Sequence, residues 1–388
     1  MKKNKGLLPF FVFALTAVLL IGCGPKRVEK ESVLDTPDNH FTMGMRLLDD
    51  NRIDDARAEF QRALDLDPDY PEAYAGMALA AAMSKDFKQA HSLVNKALKK
   101  NKKSFESRVI RGRIFTLERK GKKNEWVKKA AKEFGLASRI DPGSPKPYYY
   151  LGLTYKAAYD FMKAANAFSK VVAMKGDYAK EANDQWEMMQ KIQRAAPGTK
   201  IGMKIALIDE IDRADLAVLL IEEMKLREVF EKRRKKNYDT SFKTPDDPLR
   251  FQADWVEKAK AMTDVDSHWA KNWIYEIVRI GGMEPFPDHT FRPDQTITRA
   301  NYAQVMQKIL VLATADESLA RKYIGEPSRF PDVNSSHYAY NAMALMVDRG
   351  ILKAETISGE FRPAGTMTGA DALLAIRQFQ NALRLEFR

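Results

Sequence analysis

A period of 34 residues constrains this chain more than any other feature. Ala56 and Ala90 stand 34 apart, as do Ala63 and Ala97, and Phe60 is matched by Val94. The first unit reads Met43-Gly44, Leu47, Ala56, Phe60, Ala63, Pro68. A later one reads Tyr148, Leu151-Gly152, Tyr155, Ala164, Phe168, Val171. Between them, a unit beginning near Phe105 keeps the order with Gly112, Phe115, Ala130, Phe134, Ala137 and Pro142. It carries about six extra residues in the turn "RKGKKN". Each unit reads as a pair of short helices, too small to bury its own apolar face, so the units must stack. Small residues let the paired helices approach, aromatics fill the space between units, and a proline is expected to end each second helix.

This pattern resembles a tetratricopeptide array of four units over residues 37–178. The segment "AKEANDQWEMMQKIQRA" is apolar on one face through Ala182, Trp186, Met189 and Ile192, and reads as a capping helix closed by Pro197-Gly198. The resemblance implies a concave surface that binds a peptide or a partner protein. A rigid spacer is the plainer alternative.

A second repeat follows. Residues 262–310 align with 330–376 with few gaps. Asp264-Val265 precedes Asp332-Val333 by 68 residues, and Phe291-Arg292-Pro293 precedes Phe361-Arg362-Pro363 by 70. Thr298 and Thr368 are also 70 apart. An Asp-Val start, a His-Trp-Ala helix, a "TFRP" loop and a "TRA" helix start resemble the S-layer homology module. The segment "EIDRADLAVLL", residues 210–220, looks like the end of an earlier copy whose front half is eroded. The resemblance implies three modules packed as a pseudo-threefold helical bundle, with cell-wall polysaccharide bound in grooves between neighbours.

Thr298 is expected to cap its helix, with Asn301 in the place of the family's Glu; Asp215 and Asp371 take that place in the other copies, and Asp212 replaces the threonine in the first. Arg299 and Arg213 occupy the arginine position, where a guanidinium can fork onto a carboxylate of a wall sugar. Gly369 stands there in the last copy and Tyr338 replaces the tryptophan, so at most two grooves keep the arginine. Trp269 offers a flat face to a sugar ring or belongs to the core. Arg292 and Arg362 line the groove or tie down the loop. With Asp264 these are the candidate glycan-binding residues.

At the other end, Lys2, Lys3 and Lys5 precede an apolar run of 15 residues, Leu7 to Ile21. This is the layout of a signal peptide, short of the roughly 20 residues that span a bilayer. "LIGC", residues 20–23, resembles the lipobox of bacterial lipoproteins, and Cys23 is the only cysteine in the chain. The resemblance implies cleavage before Cys23 and acylation with chains such as palmitate, each worth about 0.8 kcal/mol per buried CH2. Gly24, where Asp would hold some lipoproteins at the inner membrane, implies an outer-membrane anchor facing the periplasm.

The expected architecture is all-α: a tetratricopeptide superhelical array and a helical pseudo-threefold bundle. It runs as signal peptide (1–22), tether (23–36), four units with their cap (37–196), an eroded first module with an insertion (197–261), and two further modules (262–328 and 329–388). The net charge of +12 is concentrated between residues 96 and 132, where 15 Lys or Arg face three Glu. An anionic surface fits that face better than nucleic acid does, and a solvated helix pair is the plain alternative. Histidines 40, 91, 268, 289 and 337 lack metal-ligand spacing, and no nucleophilic triad or phosphate loop is present. No enzymatic activity and no cofactor are expected. The expected function is to bridge membrane and wall while the array holds an envelope protein. The competing reading is an assembly scaffold for an outer-membrane complex, its second half only structural.

Overall fold

The computed structural model describes residues 32–231 and 262–386. The signal peptide, Cys23 and most of the insertion lie outside the described residues. Among the described residues there are sixteen α-helices and one short 3-10 helix, with two isolated β-bridges and no strand. None of these helices is long and apolar enough to cross a membrane. The chain divides into two compact units, Met1–Trp186 and Glu187–Arg388.

The first unit consists of four antiparallel helix pairs. These are α1 (Pro37–Asp49) with α2 (Ile53–Leu66), α3 (Pro71–Met83) with α4 (Phe87–Lys100), α5 (Phe105–Glu118) with α6 (Lys123–Ile140), and α7 (Lys146–Ala157) with α8 (Phe161–Met174). Phe60 shows why the period holds. Its buried ring lies between Gly44 of α1 and Gly76 of α3, where an added Cβ would sit only 2.5 and 2.4 Å from its Cε1. One aromatic thus joins a repeat to the next, and the alanines at 56, 63, 90 and 97 are fully buried beside it.

Two expectations are corrected here. Proline does not end each second helix. Instead Asp67, Asn101 and Asp141 stop α2, α4 and α6 in extended conformation. Each carboxylate or amide oxygen accepts the N–H two residues on, from Asp69, Lys103 and Gly143 at 3.1, 2.9 and 3.0 Å. This local bond offers the backbone an exit from the helix. The second helix pair has no proline at that point, and α8 ends at Lys175, which is left-handed (φ 53°). The extra residues of the third repeat, in turn, do not form a long turn: α6 has 18 residues where α2 and α4 have 14, so most of them add one helical turn.

Helix α9 (Ala179–Ala195) buries Ala182, Met189 and Ile192, and the division between the two units falls within it. In the second unit come α10 (Lys200–Ile205), α11 (Arg213–Glu222), α12 (Leu226–Glu231), α13 (Lys271–Arg279), α14 (Arg299–Thr314), α15 (Tyr340–Asp348) and α16 (Gly369–Glu386). A closed ring of backbone hydrogen bonds relates its three modules. Ile211 N–H donates to Met367 O (2.9 Å), Met367 N–H to Ile297 O (3.1 Å), and Ile297 N–H to Ile211 O (2.9 Å). The residue after each member caps a long helix: Asp212 accepts Asp215 N–H at 2.7 Å, Thr298 accepts Asn301 N–H at 3.2 Å, and Thr368 accepts Asp371 N–H at 3.0 Å. The eroded copy therefore completes a pseudo-threefold bundle with only its rear half.

Candidate functional site

Each long helix of the bundle begins by reaching onto its neighbour, and the first side chain of the helix decides what lies there. Arg213 opens α11. Its Nε donates to Phe291 O at 2.7 Å and its Nη2 to Glu284 O at 3.0 Å. Arg299 opens α14 and repeats this on the next module, with Nε to Phe361 O at 2.8 Å and Nη2 to Lys353 O at 2.7 Å. The guanidinium centres lie 4.6 Å over the Phe291 ring and 4.7 Å over the Phe361 ring. Both arginines thus spend their fork on backbone carbonyls. Sequence reasoning assigned that fork to a ligand carboxylate; in the structure it holds the neighbouring loop.

Around Arg299 a cleft of about 430 Å³ remains open, lined among others by Lys353, Glu355, Glu360, Arg362 and Thr366. Arg362 is 60% exposed and pairs loosely with Glu360 and Glu355, at 3.3 and 3.5 Å. Its backbone is left-handed (φ 56°), and its N–H donates to Asp332 Oδ2 at 2.7 Å.

The Arg213 side is built alike. Asp264 accepts the N–H groups of Phe291 and Arg292 at 2.8 and 2.7 Å, so this carboxylate clamps the loop. Arg292 and Arg213 lie over the ring of Phe286, at 4.1 and 4.8 Å, and Arg292 Nη2 pairs with Asp288 at 2.8 Å. Burial pushes the Arg213 guanidinium down to about 10, and the charge of Arg292 presses the same way. Thr290 and Arg292 hold Asp288 well below the usual carboxylate range. Phe286 was missed from the sequence, where "EPFPDHTF" gives no sign that two cations share its ring.

The third position differs in kind. Gly369 opens α16, and its N–H donates to Ile208 O at 2.8 Å. A Cβ there would lie 1.7 Å from Ile205 O and 2.6 Å from Ile205 C. The backbone after α10 occupies the place of the arginine side chain, so no groove of the Arg299 kind forms.

The S-layer homology domain family matches residues 261–303 and 329–373, and the tetratricopeptide repeat family matches residues 47–109. The chain carries tetratricopeptide repeats followed by S-layer homology domains. Two proteins of Acetivibrio thermocellus are similar to part of it. Cell surface glycoprotein 1 is 30% identical over 77 residues, which are 20% of this chain and 3% of that protein. Cellulosome-anchoring protein is 29% identical over 83 residues, 21% of this chain and 17% of that one. The chain thus spans only a small part of either relative. Among solved structures, a thermophilic TPR protein of Thermus thermophilus is 17% identical with a TM-score of 0.36, over 48% of this chain and 91% of that one. PilF of Pseudomonas aeruginosa is 18% identical with a TM-score of 0.32, over 51% and 85%. Both kinds of domain are interaction modules, one for proteins and one for the cell wall, and the chain is a cell-envelope or cell-surface protein.

In the two matched S-layer homology modules the aromatic position is exposed. Trp269 is 54% and Tyr338 69% accessible, each beside a histidine whose Nδ1 accepts the N–H two residues on. Trp269 is therefore not core. It lies against His268 and Trp273, outside the Arg299 cleft. The seven candidates divide accordingly. Arg299 and Arg362 share the cleft, Arg213 and Arg292 share Phe286, Asp264 holds a loop, Trp269 is an exposed face, and Cys23 lies outside the described residues. Among the described residues, no group of His, Cys, Asp and Glu could hold a metal ion.

Proposed function

We propose that this protein bridges a membrane and the cell wall: Cys23 carries the lipid anchor at the outer membrane, the S-layer homology bundle binds wall polysaccharide or peptidoglycan, and the tetratricopeptide array holds a second envelope protein. The observation that carries the wall-binding part is the cleft at Arg299, open where the equivalent place at Gly369 is filled by backbone. Arg299, Arg362 and Lys353 give it positive charge, Glu355 and Glu360 offset part of that charge, and Thr366 adds hydrogen-bonding capacity. Such a mixed lining suits a polar sugar chain without requiring an added acidic substituent. Trp269 supplies a separate stacking face.

Arg299→Ala is a poor test, because it also frees the loop that Arg299 holds. Lys353→Ala and Trp269→Ala change exposed side chains and leave the fold in place. In co-sedimentation with purified cell-wall sacculi, the wild type is expected to pellet and the double variant to lose at least about tenfold in affinity, or 1.4 kcal/mol. Equal pelleting of both would remove these two faces from the site. If neither pellets, the S-layer homology bundle is structural support, and the array is the working part of an assembly scaffold. For the anchor, Cys23→Ser is expected to move the protein from the membrane fraction to the soluble one. Retention in the membrane fraction would sink the lipidation reading.

A further inference from the structure

The added turn of α6 does more than lengthen the third repeat. It places Trp126, 5% exposed, at the corner between α5 and α6. The connection that feeds it requires two left-handed residues, Arg119 (φ 48°) and Gly121 (φ 86°). This corner encloses a cavity of about 240 Å³ lined by His91, Phe115, Glu118, Lys120, Trp126 and Lys129. Phe115 and Trp126 supply its apolar wall. Lys129 Nζ lies 5.9 Å and the Arg111 guanidinium 5.8 Å from the centre of the Phe115 ring. Glu118, the acid in the lining, is engaged by His91 Nε2 at 2.8 Å. Lys120 and Lys129 are exposed and have no acidic partner among the described residues. Residues 119–132 hold seven Lys or Arg and one acid, Glu125.

We propose that this cavity binds the phosphate group of a small phosphate ester. Lysine ammonium groups are compact point charges suited to phosphate, and they flank an opening with low-dielectric walls, which concentrates the field of a one-sign patch. The aromatic wall takes the organic part of the ester. A volume of about 240 Å³ is below the usual range for drug-sized ligands and fits a headgroup-sized molecule. Two sources share this chemistry: a phospholipid headgroup and a soluble phosphate ester. The site is independent of the wall-binding reading, because it lies in the array and uses none of the bundle's residues.

The test uses the full chain and two probes: glycerol 3-phosphate, and vesicles of phosphatidylglycerol against phosphatidylcholine. Lys120→Gln with Lys129→Gln removes the flanking charge, and Lys99→Gln with Lys102→Gln removes the same charge elsewhere as the control. Glycerol 3-phosphate is expected to bind and to perturb Trp126 fluorescence, a signal that Trp126→Phe abolishes. Affinity is expected to fall at least tenfold in the cavity variant and less than twofold in the control. An excess of binding to phosphatidylglycerol vesicles, lost in the same variant, assigns the source to the membrane; binding of glycerol 3-phosphate alone assigns it to a soluble ester. Failure of both probes to bind overturns the site. So does equal loss in the two double variants, which would show a diffuse charge effect.

Discussion

Replacing Gly369 with alanine is expected to destabilise the S-layer homology bundle by about 3 kcal/mol or more, beyond the usual 1–3 kcal/mol cost of overpacking. The new Cβ would meet the carbonyl of Ile205 at 1.7 Å, and a backbone oxygen cannot rotate away as a side chain would. Nor can α10 retreat easily. Glu223 holds its start, accepting the N–H groups of Gly198 and Thr199 at 2.9 and 2.8 Å and the Thr199 hydroxyl at 2.6 Å. Gly369→Arg would restore the family's motif in sequence and is expected to be worse still, because it adds a longer side chain at the same closed point. Urea unfolding, followed by the fluorescence of Trp269 and Trp273, measures both variants. If either is as stable as the wild type, α10 does not sit against the start of α16.

Asp215→Asn is expected to stabilise the bundle at neutral pH, by about 1–3 kcal/mol for a carboxyl displaced by some two pH units. Asp215 is 6% exposed, and burial, then the charge of Asp212, pushes its carboxyl up to about 6. Asp212 is raised as well, with burial again the largest cause; Asp294 adds to this and His268 opposes it. The sign follows from linkage. A folded-state value above the unfolded one, near 3.9, means that the folded protein holds the proton more tightly. The stabilisation from that proton is complete below about pH 4 and is lost as pH rises through about 6. Asparagine carries no charge at any pH, and Asn301 already serves at the equivalent place in the second module. The variant should therefore gain over wild type at pH 7, gain little at pH 4, and show a flatter profile between them. Urea midpoints at pH 4, 5, 6 and 7 read this directly. A variant less stable than wild type at pH 7 would show that the Asp215 carboxylate helps the fold.

The helix caps illustrate what could be read from the chain. Asp212, Thr298 and Thr368 were identifiable as caps because a cap acts within four residues of its own helix, and the structure shows all three. The same locality would have revealed the Asx stops at Asp67, Asn101 and Asp141, whose 34-residue recurrence between the first two was overlooked in favour of proline. The arginines show the opposite case. Arg213 and Arg299 reach partners 78 and 62 residues away, and nothing near them in the chain says that those partners are carbonyls. The same holds for Gly369, which reads as a worn motif until Ile205 is seen against it.

By itself the sequence determined the helical class, the two repeats and their order, because repeat period and capping chemistry depend on neighbours along the chain. The tertiary structure decided which motif positions hold the bundle together, why one of three grooves is closed, and that an added turn of α6 opens a basic cavity. Those outcomes depend on what a residue meets across the fold, where a distance of an ångström separates a binding cleft from a backbone contact.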